Sequence, residues 1–156
     1  MRKHIIAVYG GENVGKTTTI KKVYLLLREA YPDAYVTIFP GSNEDPAENT
    51  CDIYVIMYIN GTFIGIASQG DPQCDLHGKL EAFRTHRPPC GVIVCATRTK
   101  GKTTVGAVEE MESEYGYSVD WVEKPRDKRN RDKKNDECAS DIVEQIKQLL
   151  SGKETL

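Results

Sequence analysis

The chain has 156 residues, a net charge of −2 and five cysteines with no Cys-x-x-Cys pair. This length suits one domain with its own core, and the near-neutral charge excludes any general attraction to nucleic acid or anionic membranes. No apolar run approaches the roughly 20 residues that a membrane-spanning helix needs. An odd number of cysteines without this spacing does not indicate a disulfide framework and is typical of reduced thiols in the cytoplasm. We therefore predict one cytoplasmic domain over residues 1–156, with neither nucleic acid nor a membrane as its partner.

Apolar runs alternate with helical patterns along the chain, which is typical of a mostly parallel sheet covered by helices. In chain order we predict strand Ile5–Tyr9, helix Gly15–Ala30, strands Tyr35–Phe39, Ile53–Ile59 and Thr62–Ser68, helix Asp75–Thr85, strand Val92–Ala96, helix Thr103–Tyr115, strand Ser118–Val122 and helix Asp136–Leu150. The fold class is therefore α/β, with about six strands.

Two connecting segments have distinctive compositions. Asn60-Gly61 separates two apolar runs and predicts a tight hairpin, so one strand should run antiparallel to its partner. Residues 124–134 are dominated by lysine and arginine and predict an exposed basic loop. Three interpretations of this loop stay open: a segment that closes over phosphates, a site for an anionic partner, or solvated charge.

The segment from Gly10 to Thr17 fits the pattern G-x-x-x-x-G-K-[ST] between a buried strand and an amphipathic helix. Its members are Gly10, Gly11, Glu12, Asn13, Val14, Gly15, Lys16 and Thr17. The glycines allow backbone N–H groups to converge on phosphate oxygens, and the N-terminus of the following helix favours negative charge. Lys16 should reach the β- and γ-phosphates, Thr17 should offer its hydroxyl to Mg²⁺, and Thr18 could touch the α-phosphate.

On these residues the chain resembles the P-loop NTPase superfamily, which contains GTPases, small-molecule kinases and many ATPases. The resemblance is specific over Gly10–Thr17 and extends elsewhere only through the alternating α/β order. It implies a three-layer fold with the sheet between two layers of helices. It does not identify a subfamily.

A second segment, Ala96–Thr103, matches a relaxed form of the same pattern but lacks the first glycine. We interpret it as a loop at the same carboxyl edge of the sheet, where ligands of open α/β sheets bind. Its cations, Arg98, Lys100 and Lys102, could face the nucleotide, with solvated surface charge as the alternative.

Residues that bind the metal ion and the attacking water are predicted at the end of the strand Thr62–Ser68 and in the turn that follows it. Asp71 is the candidate carboxylate for Mg²⁺, and Ser68 could hold a metal-bound water. The alternative for Asp71 is a turn residue before Pro72. Gln69 could orient an attacking water, as a glutamine does in GTPases. The catalytic candidates are therefore Lys16, Gln69, Asp71 and Arg98, and the metal candidates are Thr17, Ser68 and Asp71.

The expected ligands are Mg²⁺ and a nucleoside triphosphate. The stretch from the hairpin to Gln69-Gly70 looks like the corresponding part of small GTPases, but no Asn-Lys-x-Asp guanine signature follows Val92–Ala96. ATP is therefore the default. Three functions stay open: an NTPase, a kinase that transfers the γ-phosphate to a small-molecule acceptor, and a non-catalytic switch module that acts on a protein partner.

Overall fold

The computed structural model describes residues 3–10, 16–39, 53–68, 75–98, 104–124 and 131–152. These residues form six strands and four helices. The elements are β1 (His4–Tyr9), α1 (Lys16–Ala30), β2 (Tyr35–Ile38), β3 (Tyr54–Ile59), β4 (Thr62–Ala67), α2 (Leu76–Thr85), β5 (Val92–Thr97), α3 (Val105–Tyr115), β6 (Ser118–Glu123) and α4 (Arg131–Leu150).

All six strands belong to one mixed sheet in the order β2-β3-β4-β5-β1-β6. β1 is parallel to both of its neighbours, β5 and β6, and β4 is parallel to β5. β3 pairs antiparallel with both β2 and β4, so among the described strands it runs against the other five. The α/β class, the six strands and the single opposed strand are confirmed.

The hairpin between β3 and β4 turns at Asn60 and Gly61, as the sequence predicts. Asn60 has φ of 49° and Gly61 has φ of 84°, the two positive values that a type I′ turn requires. Ile59 pairs with Thr62 directly beside this turn. The turn therefore sets the register of both strands.

Alternate residues of the central strands enter two cores, because successive side chains of a strand point to opposite faces. Ile6 and Val8 of β1 pack in the first core with α1 and α4, while Ile5 and Ala7 pack in the second core with α2 and α3. The apolar stripe predicted for α1 is confirmed, since its members are all buried: Ile20, Val23, Tyr24 and Leu27.

The prediction of an exposed loop over 124–134 is wrong at both of its ends. Lys124 is only 3% exposed, and α4 begins at Arg131 rather than near Asp136. Lysine and arginine are good helix formers, so a dense charge run can hide the first turns of a helix whose apolar stripe starts later. Residues 125–130 lie outside the described part of the chain. Among the described residues, no helix combines the length and apolar character needed to cross a membrane.

Candidate functional site

Four adjacent strands that are parallel to one another end at one edge of the sheet, and this edge forms the candidate site. Because β1, β4, β5 and β6 run in the same direction, the residues that follow them lie along the same edge. These residues are Gly10, Ser68, Arg98 and Lys124. The first residue of α1, Lys16, meets the same edge through its side chain.

Lys16 is the central cation of this edge. Its Nζ donates one hydrogen bond to the carbonyl oxygen of Gly10 and another to that of Thr97, each at 2.8 Å. The side chain is buried, with 8% of the residue exposed. The ammonium group therefore lies at the ends of two neighbouring strands, where an arriving anion could replace neutral carbonyl oxygens as its acceptor.

Thr17 reaches the end of β4, which is separated from β1 by β5. Its Oγ1 donates to the carbonyl oxygen of Ser68 at 3.3 Å. The Ser68 hydroxyl accepts a 2.7 Å hydrogen bond from the Ile53 backbone N–H, and the Ser68 N–H donates to the Ile53 carbonyl at 2.9 Å. The structure thus brings together Thr17 and Ser68, two of the predicted metal ligands, but it is the carbonyl of Ser68 that Thr17 contacts.

Arg98 is half-buried and joins the end of β5 to the beginning of α3. Its backbone N–H donates to the Thr104 hydroxyl at 3.1 Å, and its carbonyl accepts from the Thr97 hydroxyl at 3.0 Å. Thr104 occupies the N-cap position of α3, yet its side chain does not cap that helix. Threonine is a favoured N-cap residue, but nothing in the sequence indicates that this hydroxyl contacts the backbone of Arg98 instead.

A buried polar contact joins α1 to α4 close behind Lys16 and Thr17. Thr19 Oγ1 donates to Asn135 Oδ1 at 3.2 Å, and both residues are almost completely buried. On the rim of the same contact, Lys22 pairs with Asp136. The sequence does not predict this contact, because Asn135 falls between the basic loop predicted over 124–134 and the helix predicted from Asp136, outside every predicted element.

Several predicted site residues lie outside the described part of the chain. They are Gly11, Glu12, Asn13, Val14, Gly15, Gln69, Asp71, Lys100 and Lys102. Their predicted roles stay predictions. Of the described candidates, Gly10, Lys16, Thr17, Thr18, Ser68 and Arg98 lie at or next to the same edge.

The donor chemistry at this edge fits Mg²⁺. The Thr17 hydroxyl and the Ser68 carbonyl are hard oxygen ligands that lie within hydrogen-bond distance of each other. Mg²⁺ usually takes few protein oxygens and completes its shell with phosphate oxygens and water. Among the described residues, no three His, Cys, Asp or Glu side chains lie together as a metal site. The Thr17 and Ser68 oxygens would therefore supply only part of the shell of a magnesium ion.

A cleft of about 260 Å³ opens beside this edge, between β6 and α4. Val122, Lys124 and Cys138 are among the residues that line it. Burial raises the pKa of the Cys138 thiol, and the positive charge of Lys124 acts in the opposite direction. This thiol therefore keeps its proton near neutral pH.

Comparison of the chain with protein-family models, with curated proteins and with solved structures finds no match in any of the three.

Proposed function

We propose that this protein binds and hydrolyses a nucleoside triphosphate, with ATP as the default substrate and Mg²⁺ as cofactor, at a P-loop formed by Gly10–Thr17. One observation supports the proposal most. The ammonium group of Lys16 lies between the carbonyl oxygens of Gly10 and Thr97, at the carboxyl ends of β1 and β5. This is the edge of the sheet where ligands of open α/β proteins bind.

Each residue has a role that follows from its position. Lys16 would exchange its carbonyl partners for phosphate oxygens, and the amides at the start of α1 would add their partial positive charge. Thr17 and the end of β4 would hold Mg²⁺, which neutralises charge on the phosphate oxygens when it is bound. Arg98 would face the phosphates from the end of β5. Gln69 and Asp71 keep the roles that the sequence predicts, orientation of the attacking water and metal binding.

Thermal unfolding with and without nucleotide tests the binding step. A ligand present at 100 times its Kd stabilises a protein by about 2.7 kcal/mol, so Mg²⁺ and ATP together should raise the melting temperature of the wild-type protein. Lys16→Met should abolish this gain, because the apolar stem stays but the ammonium is removed. The matched control is Lys147→Met on α4, a lysine whose side chain is 41% exposed and paired with Glu144. An equal rise in melting temperature in the wild type, Lys16→Met and Lys147→Met would refute the proposed site.

Phosphate release tests the reaction step. Wild-type protein incubated with Mg²⁺ and ATP, with no acceptor present, should release inorganic phosphate, and Lys16→Met should not. Nucleotide binding without phosphate release would contradict hydrolysis and leave the transferase and switch alternatives to be tested with acceptors and protein partners.

A further inference from the structure

The protein has a single tryptophan, Trp121, and it lies on the surface of the edge strand β6 with 40% of the residue exposed. Its ring is in an edge-to-face contact with Tyr9, with centroids 6.0 Å apart and an interplanar angle of 79°. In such a contact only one ring presents its face to the other. At least one face of the indole is therefore not covered by Tyr9.

The aromatic pair lies close to the edge of the sheet where we propose that the phosphates bind. Tyr9 directly precedes Gly10, and the Tyr9 carbonyl accepts a 2.8 Å hydrogen bond from the Lys124 backbone N–H. Trp121 pairs in register with Ala7, and Glu123 pairs with Tyr9. At a rise of about 3.3 Å per residue, Trp121 is roughly 10 Å along the strand from the level of Gly10. The ribose and base of a nucleotide extend over a comparable distance from its phosphates.

Both rings lie on the face of the sheet that α2 and α3 cover. Ile5 and Ala7 of β1 and Val119 of β6 all contact the core on this face, and the alternation of a strand places Tyr9 and Trp121 on it too. Glu123, the last residue of β6, is exposed on the same face, two residues beyond Trp121. A carboxylate at this position can accept hydrogen bonds from ribose hydroxyls.

We infer that Trp121, supported by Tyr9, is the base subsite for the nucleotide whose phosphates bind at Lys16. This inference rests on the proposed function. Bases stack on aromatic side chains through their π-faces, which every base has. The subsite recognises the plane of the base rather than its hydrogen-bonding edge. Purine nucleotides with adenine or guanine therefore bind with similar affinity, in agreement with the missing guanine signature.

Fluorescence provides the first test, because the emission comes from one tryptophan. Saturating Mg²⁺ with ATP or GTP should quench the emission of Trp121. Inorganic tripolyphosphate should bind at Lys16 and raise the melting temperature without quenching. Unchanged emission at an ATP concentration that raises the melting temperature would overturn the inference.

Titration calorimetry on two substitutions of Trp121 provides the second test. Trp121→Leu should weaken ATP binding about tenfold and leave tripolyphosphate binding unchanged, whereas Trp121→Phe should keep most of the ATP affinity. The control is Tyr35→Leu, because Tyr35 is 79% exposed on β2 at the far side of the sheet. It should change neither affinity.

The results separate the two levels of inference. If neither ATP nor tripolyphosphate binds the wild-type protein, the proposed function fails and the base subsite fails with it. If both bind and Trp121→Leu has wild-type affinity for ATP, only the base subsite is wrong.

Discussion

The Nζ of Lys16 lies 2.8 Å from the carbonyl oxygen of Thr97, although the two residues are 81 positions apart in the chain. The same Nζ bonds to Gly10, the residue that follows β1. The position of the ammonium group is therefore set by two adjacent strands of the sheet, and not only by the loop that precedes α1. This relationship makes the length and shape of the side chain matter as much as its charge.

Lys16→Arg should lose nucleotide binding although it keeps the positive charge. The guanidinium group is planar and wider than an ammonium group, and it cannot occupy a buried position 2.8 Å from two carbonyl oxygens in the same way. We expect at least a tenfold loss of ATP affinity, measured by calorimetry. Lys22→Arg, on the same helix but partly exposed beside Asp136, should bind ATP as the wild type does. Wild-type affinity in Lys16→Arg would mean that charge alone is sufficient.

The Thr19–Asn135 contact should show strong coupling between its two members. Thr19→Val keeps the shape of the side chain but leaves the buried Asn135 oxygen without its donor, which should cost about 1–3 kcal/mol of unfolding free energy. Thr19→Val combined with Asn135→Leu removes both members of this hydrogen bond and should recover part of this loss. Urea unfolding of the two single variants and the double variant measures the coupling.

Thr85→Val is the matched control for Thr19→Val. The Thr85 hydroxyl also forms a hydrogen bond, to the Glu81 carbonyl at 2.8 Å, but the residue is exposed. Thr85→Val should therefore change the free energy of unfolding by no more than about 0.5 kcal/mol. Additive effects of the Thr19 and Asn135 substitutions would show that the contact does not link α1 to α4.

Two glycines should respond in opposite directions to the same substitution. A Cβ atom added at Gly65 would lie 2.6 Å from Cγ of the buried Phe83 ring, so Gly65→Ala should destabilise the protein by about 1–3 kcal/mol. A Cβ at Gly106, within α3, would meet no atom within 4 Å. Gly106→Ala should therefore stabilise by up to roughly 0.5 kcal/mol, because the penalty for glycine is smaller at the second residue of a helix than in its middle. Thermal unfolding compares the two, and equal effects would contradict the packing of β4 against α2.

Stability should fall at alkaline pH because two acidic groups keep their protons in the fold. Burial raises the pKa of Tyr117 from 10.0 to about 12, and burial raises the pKa of the Cys90 thiol from 9.0 to about 12. Above pH 9 the unfolded chain therefore binds fewer protons than the folded protein, and the unfolding free energy decreases as the pH rises from 9 to 12. Urea unfolding at pH 8, 9, 10 and 11 should show this decrease.

In Tyr117→Phe, the free energy of unfolding should decrease less steeply above pH 10 than it does in the wild type. The variant also loses the 2.9 Å hydrogen bond from the Tyr117 hydroxyl to the Cys90 carbonyl, so it is less stable at pH 8, where the phenol is protonated in both states, and only the slopes are compared. Tyr35→Phe, at an exposed position, should follow the wild-type slope. A wild-type slope in Tyr117→Phe would contradict the contribution of this phenol.

Most of the fold could be predicted from local patterns. The spacing of apolar residues in each segment predicted whether it is a helix or a strand, and Asn60-Gly61 predicted the hairpin. Both patterns involve only a few neighbouring residues. The strand order could not be predicted. Nothing in the sequence of β5 indicates that it lies between β4 and β1. The start of α4 was missed because its first turns carry charge and not the apolar stripe of Ile142, Val143 and Ile146.

The candidate site could be predicted in part. Lys16 and Thr17 follow from the motif, and the structure brings Thr17 within hydrogen-bond distance of Ser68. The partners of Lys16 and Thr19 could not be foreseen, since a backbone carbonyl such as that of Thr97 has no sequence signal and Asn135 comes from a distant segment. Such contacts depend on how elements pack in three dimensions.

The packing of α4 on α1 has a consequence for synthesis on the ribosome. Ala139, Ile142 and Ile146 complete the core that buries Ile20, Val23 and Leu27 of α1. Among the described elements, α4 is the last to be translated. The nascent chain therefore carries an uncovered apolar face on α1 until almost all of the described sequence has left the exit tunnel.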